Sequence, residues 1–343
     1  MIDSSYSGVR VAVLGASGFI GRWVARALTR ERADVVLVVR DRRSMERIAD
    51  AYSIRGEIAE VDLMDRAATT ALLERARPAI TFNLAGYGVD PAERDERAMQ
   101  QVNVELIAAL TDAVAAGADS NWGGQALVHA GTALEYGSTQ GELSEDSRTN
   151  PIGLYGASKL AGTRLLKHRA AELGIRAVTA RLFTVYGPGE HRGRLLPCLI
   201  EAARTGAPVS LSEGRQERDF CYVDDVADGL LRLGVSDATA GETVNLASGC
   251  LTRVRDFALA AARVLGIPKE RLEFGEKVVR EDEMWQGRVR IDRLRQLLNW
   301  IPPTGIEQGV RRTWEFESTD GRTAPIDSLN PGSTKSIEHP DAA

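Results

Sequence analysis

The chain has 343 residues, with 43 basic against 48 acidic side chains, and a net charge of −5 leaves no broad basic footprint for nucleic acid. That length buries a core without covalent staples, and the three cysteines (Cys198, Cys221, Cys250) and four scattered histidines show neither a disulfide framework nor metal-ligand spacing. No apolar run approaches the roughly 18 residues of a membrane span, and the opening MIDSSYSGVR lacks a signal peptide's apolar core, so a cytoplasmic protein is expected.

In chain order, short β-branched runs at residues 9–14, 35–39, 80–85, 126–130 and 177–183 predict strands. Residues 19–30, 98–116 and 155–173 between them read as amphipathic helices. Continuous apolar strands alternating with helices indicate a parallel sheet covered on both faces. The fold class expected is α/β, a Rossmann-type doubly wound sheet. After Tyr186 the alternation loosens. A loop and helix run through residues 187–206, with strands at 209–212, 243–247 and 271–275. Helices follow at 223–233, 254–265, 294–299 and 306–317. This predicts a dinucleotide-binding domain over residues 1–185, rejoined by 223–250, and a smaller C-terminal substrate-binding lobe from 186–222 and 251–317. Residues 318–343, rich in Pro, Gly and Ser, read as a disordered tail.

The first strand runs into Gly15-Ala16-Ser17-Gly18-Phe19-Ile20-Gly21 and then a helix. A glycine turn at the first strand-to-helix junction delivers backbone N–H groups to a pyrophosphate at the helix N-terminus. Gly15 permits the turn, Gly18 the approach of the phosphate, and Gly21 the packing of helix on strand. The second strand ends where an NAD site usually sets a carboxylate on the ribose 2′-hydroxyl. Here the chain reads Arg40-Asp41-Arg42-Arg43. The guanidinium groups of Arg40 and Arg43 suit a 2′-phosphate and so NADP, while Asp41 keeps NAD as the alternative.

Tyr155 and Lys159 stand four residues apart, on one face of a helix. An ammonium beside the phenol is expected to lower the tyrosine pKa and make it a proton donor or acceptor near neutrality. The strand over 126–130 ends in Gly131-Thr132, so Thr132 is expected to reach the same site from the carboxyl end of the sheet.

The segments GASGFIG, VDLMD, Asn83-Leu84-Ala85-Gly86, Asn103, GTALEYG, YGASK, RLFTVYGPGE and ERDFCYVDDVADG occur in that order. Together they resemble the extended short-chain dehydrogenase/reductase family that acts on nucleotide-activated sugars, over residues 9–317. The resemblance implies Thr132, Tyr155 and Lys159 as the catalytic set. It implies a cofactor site from Gly15, Ser17, Gly18, Phe19, Ile20, Gly21, Arg40, Arg43, Asp62, Leu63, Leu84, Ala85 and Lys159. Substrate contacts would come from Thr132, Tyr155, Thr184 (usually Asn in the family), Arg218 and Arg280, the two arginines serving the diphosphate. It also implies a homodimer through the helices at 98–116 and 155–173.

Departures from the family narrow the expectation. Sugar 4,6-dehydratases resembling this chain carry a carboxylate pair, or a single Glu, directly after the catalytic Thr. UDP-glucuronate decarboxylases also have Glu there, and the GDP-fucose epimerase/reductases have Cys at the second position. Here the residues are Ala133 and Leu134, which transfer no proton, and Glu135 lies one residue further on. The leading expectation is an NADPH-dependent 4-ketoreductase of a nucleotide-linked 4-keto-6-deoxy sugar. An NAD-dependent nucleotide-sugar 4-epimerase uses the same groups and is the alternative. A non-catalytic cofactor-binding regulator would be marked by loss of Tyr155 or Lys159, and both are present.

Overall fold

The computed structural model describes residues 5–89, 93–117, 121–278 and 284–319. The first half alternates β1 (Arg10–Leu14), α1 (Phe19–Arg30), β2 (Asp34–Val39), α2 (Arg42–Tyr52), β3 (Glu57–Glu60), α3 (Arg66–Ala76) and β4 (Ile80–Asn83). Next come α4 (Glu96–Gln100), a π turn over Gln101–Glu105, α5 (Leu106–Ala116), β5 (Leu127–Thr132), a single 3₁₀ turn over Ala133–Glu135, α6 (Gly153–Leu173) and β6 (Ala177–Leu182). The remainder holds β7 (Thr184–Tyr186), α7 (Leu195–Thr205), β8 (Val209–Leu211), β9 (Glu217–Tyr222), α8 (Val223–Gly234) and β10 (Glu242–Leu246). It closes with β11 (Leu251–Arg253), α9 (Val254–Leu265), β12 (Leu272–Phe274), α10 (Asp292–Leu298) and α11 (Ile306–Thr319).

Seven strands form one parallel sheet in the order β10-β6-β5-β4-β1-β2-β3. Successive side chains of a strand point to opposite faces, and the two cores show it. Val11 and Val13 of β1, with Val35, Leu37 and Val39 of β2, pack under α1, α2 and α8. Ala12, Leu14, Val36 and Val38 face α3, α5 and α6 on the other side. The doubly wound fold expected from the apolar runs is present.

The later segments add a three-stranded sheet, β11-β9-β7, and a two-stranded one, β12-β8. Around them Leu199, Phe220, Phe257 and Val310 belong to a third apolar cluster, with the rings of Phe220 and Phe257 stacked at 4.2 Å.

The differences from the expected elements have physical causes. The helix expected over 98–116 is interrupted by the π turn, which turns Asn103 inward. The edge strand β3 reads EIAE, and only Ala59 of it is buried. Helix α2 buries one narrow stripe, Met45, Ile48 and Tyr52, among charged residues, and α3 buries Thr69, Leu72 and Leu73. Strand β9 lies in the stretch GRQERDFCYVDD, whose charges mask it. Of the tail expected from 318, Ser318 and Thr319 complete α11, and the rest lies outside the described residues.

Candidate active site

Sequence reversal in the sheet falls between β1 and β4, and ligands of open α/β sheets sit outside the strand ends at that switch point. The glycine turn lies there. Gly15 has φ +75°, and a Cβ on it would stand 3.0 Å from the backbone N of Ala85, so the turn is pressed against the end of β4. A Cβ on Gly21 would fall 2.0 Å from the Gly15 carbonyl oxygen, which lets α1 rise directly from the turn. At Gly18 a Cβ would meet nothing nearer than the Gly15 oxygen at 3.1 Å, so its outer side opens to a ligand. No side chain caps α1, and the N–H groups of its first turn are left to whatever the turn binds.

The ends of the neighbouring strands continue this line. Asp62 and Leu63 follow β3, and Leu84 and Ala85 follow β4. Asp62 is exposed and its Oδ1 accepts from Met64 N at 3.0 Å. After β2, Asp41 is the N-cap of α2, with Oδ1 accepting from Ser44 N at 3.0 Å. Arg42 is tied to Ile58 O. Arg40 and Arg43 remain exposed and pair with no carboxylate among the described residues. A dinucleotide therefore fits: a bare helix N-terminus for its pyrophosphate and two uncommitted cations beside the ribose end.

The chemistry-bearing side chains gather at the ends of β5 and β6. Thr132 ends β5, and its Oγ1 accepts from Leu134 N at 3.3 Å, leaving its own hydroxyl hydrogen to donate. Helix α6 carries Tyr155 half-buried and Lys159 buried. The loop after β4 packs over the tyrosine, because a Cβ on Gly88 would lie 3.2 Å from Tyr155 Cδ2. Asn103 fastens that loop to α6. Its Oδ1 accepts from Tyr87 N at 3.0 Å, and its Nδ2 donates to Tyr87 O at 2.8 Å and Ser158 Oγ at 2.9 Å.

The expected electrostatics of the Tyr and Lys pair need correction. Burial pushes the Tyr155 phenol well above its usual value, Glu135 adds to the rise, and Arg194 opposes it. Lys159 Nζ lies 3.4 Å from His129 Nε2. Burial lowers the ammonium itself to about 8, against the pull of Glu135. At neutral pH Tyr155 is held as a proton donor.

Glu135 is fully buried. Its Oε1 accepts from Thr132 N at 2.9 Å and Thr163 Oγ1 at 3.1 Å, and its Oε2 from Arg181 Nε at 3.0 Å and Nη2 at 2.8 Å. It braces the strand end that carries Thr132. Leu134, 36% exposed, stands on the open side instead.

Of the remaining expected residues, Thr184 is half-buried in β7. Arg218 in β9 donates to the carbonyls of Glu217 at 2.7 Å and Met284 at 2.6 Å, and burial lowers its guanidinium to about 10. Arg280 lies outside the described residues. Sequence reasoning assigns no role to His129, and none to the bond between Glu135 and Arg181, 46 residues apart.

Residues 11–247 match the model of the NAD dependent epimerase/dehydratase family. The chain belongs to that family. Among the relatives of this epimerase/dehydratase chain, a dTDP-6-deoxy-L-talose 4-dehydrogenase (NAD(P)(+)) of Kitasatospora kifunensis is 34% identical over 90% of this chain and 96% of its own. A UDP-glucose 4-epimerase of Mycolicibacterium smegmatis is 28% identical over 90% of this chain and 98% of its own. The crystal structure of dTDP-glucose 4,6-dehydratase from Bacillus anthracis in complex with NAD superposes with a TM-score of 0.78. It covers 91% of this chain and 97% of its own at 17% identity, a likeness of fold. The protein is thus an NAD(P)-dependent enzyme of the extended short-chain dehydrogenase/reductase type. No helix among the described residues is long and apolar enough to cross a membrane, and no cluster of His, Cys, Asp or Glu among them is arranged for a metal ion.

Proposed function

We propose that the protein is an NADPH-dependent reductase of a nucleotide-diphosphate 4-keto-6-deoxy sugar, working in the cytoplasm as a homodimer. The observation that carries this reading is the end of β2. Asp41 caps α2 through Oδ1, while Arg40 and Arg43 are exposed and pair with no carboxylate among the described residues. The likeness to a 4-dehydrogenase that uses NAD(P)(+) supports the same reading.

In this mechanism the bound cofactor supplies hydride to sugar C4. Tyr155, kept protonated by burial, gives its hydroxyl proton to the C4 carbonyl oxygen, which becomes the product hydroxyl. Thr132 donates its hydroxyl hydrogen to the same oxygen and fixes the carbonyl against the phenol. Lys159 holds the cofactor ribose beside Tyr155. Arg218 would serve the diphosphate, as would Arg280 by its place in the sequence, and Thr184 would contact the sugar. The glycine turn with Asp62, Leu63, Leu84 and Ala85 lines the cofactor.

A charge-assisted bond to the 2′-phosphate is worth about 1.5–3 kcal/mol. Arg40→Ala and Arg43→Ala together are therefore expected to weaken NADPH by roughly 10²- to 10⁴-fold relative to NADH. Titration of both nucleotides by fluorescence reads this directly. Equal loss for the two nucleotides would show that the arginines do not face the phosphate.

The decisive assay is oxidation of added NADPH by a 4-keto-6-deoxy nucleotide sugar, with the protein isolated free of nucleotide. The alternative is a 4-epimerase, supported by the likeness to a UDP-glucose 4-epimerase. It would retain NAD through purification and interconvert C4 epimers with no cofactor added, and that result overturns the reductase.

Elimination across C5 and C6 is not expected. Ala133 and Leu134 carry no transferable proton, and Glu135, the next residue in the chain, has both oxygens bonded inside the protein. Incubation with dTDP-, GDP-, CDP- or UDP-linked hexoses should give no 4-keto-6-deoxy product by NMR. Its formation would mean that another acid serves the reaction.

A further inference from the structure

Behind Lys159 lies a buried polar pair that the proposed chemistry leaves unused. Asn83 at the end of β4 and His129 in β5 are register partners, so their side chains leave the same face of the sheet. Helix α6 packs over that face and brings Lys159 down on them. His129 Nε2 stands 3.4 Å from Lys159 Nζ, and Nδ1 stands 3.1 Å from the Asn83 amide. Asn83, His129 and Lys159 are 0%, 1% and 3% exposed, so water does not substitute for these contacts.

We propose that His129, itself set by Asn83, is a positioning residue that aims the Lys159 ammonium into the active site. An ammonium only donates hydrogen bonds, so Nε2 accepts and the imidazole proton sits on Nδ1. That proton needs an acceptor, which is the Asn83 amide oxygen once the amide is turned about its own axis. The oxygen otherwise has no partner. Burial and the Lys159 charge both hold the imidazole well below its usual pKa, in keeping with a neutral acceptor.

Neutrality is the point of the device. A carboxylate in this place would pair with the ammonium and cancel its charge toward the cleft. An imidazole fixes one N–H and leaves the charge and two further donors for the cofactor ribose and Tyr155. The buried anion that does act on Lys159, Glu135, has both oxygens taken by other groups. The inference rests on Lys159 as the cation of the cofactor site, and it holds for reduction and epimerisation alike.

Two measurements on the full chain test it, neither needing turnover. In protein labelled with nitrogen-15 histidine, His129 should show a protonated Nδ1 and a bare Nε2. Lys159→Met should return it to the Nε2–H form that imidazole prefers in water. In fluorescence titration, His129→Phe should weaken NADPH about 10- to 100-fold, the worth of one hydrogen bond to a charged group. His129→Gln, whose side-chain oxygen reaches the place of Nε2, should stay within about three-fold of the parent. A proton found on Nε2 in the parent protein overturns the proposal even if the variants fail to fold. So does equal NADPH affinity in the Phe and Gln variants, which would reduce His129 to a filler of space.

Discussion

Tyr155→Phe is expected to lower turnover of a 4-keto nucleotide sugar by about 10²–10⁴-fold while NADPH still binds. The substitution removes one oxygen and keeps the ring that packs beneath Gly88, so the cleft keeps its shape. What disappears is the proton for the C4 oxygen. Because burial pushes the phenol up, Tyr155 stays protonated across the neutral range and does not limit reduction there. Lys159 does, since its ammonium is lowered to about 8. Reduction by the parent protein should therefore hold steady through neutrality and fall as pH rises through about 8, when the cation is lost. Turnover in the Phe variant within three-fold of the parent's, by the same scale of general-acid effects, would remove Tyr155 from the mechanism.

That phenol also marks where sequence reading stopped. Spacing alone places Tyr155 and Lys159 on one helical face, and α6 confirms the helix. The pattern cannot say which way a lysine leans. Its direction is decided by His129, a residue that in an apolar run is indistinguishable from core. Helix α1 was legible to the residue because its apolar stripe is bounded by the glycine turn and by Arg32, which takes a left-handed conformation. Helix α2 was not legible, because Asp41 in a run of arginines signals surface charge more strongly than a helix cap. Asn103 stood out as a motif position, yet its work depends on a π turn that no period of 3.6 residues foretells.

Glu135 shows the limit most plainly. In sequence it is a catalytic carboxylate displaced by one residue. In the fold it is the centre of a buried network spanning β5, β6 and α6, with Arg181 also stacked 4.3 Å over the Tyr136 ring. Glu135→Ala would leave the Arg181 guanidinium, 3% exposed, without its counter-charge. Breaking a buried pair from one side costs about 3–5 kcal/mol, far more than a surface bridge. Denaturant unfolding of the Ala variant should show a loss of that size. Removing both charges while keeping volume, as in Glu135→Leu with Arg181→Met, should recover part of it, since no unpaired ion is then left in the core. A double variant no more stable than Glu135→Ala would mean that the hydrogen bonds to Thr132 and Thr163, rather than the ion pair, hold this corner. Glu135→Gln separates the two further, because it keeps the volume and one of the two acceptor oxygens but not the charge. If Thr132 depends on this brace for its aim at the substrate, the Gln variant should retain NADPH affinity and lose more turnover than its loss of stability accounts for.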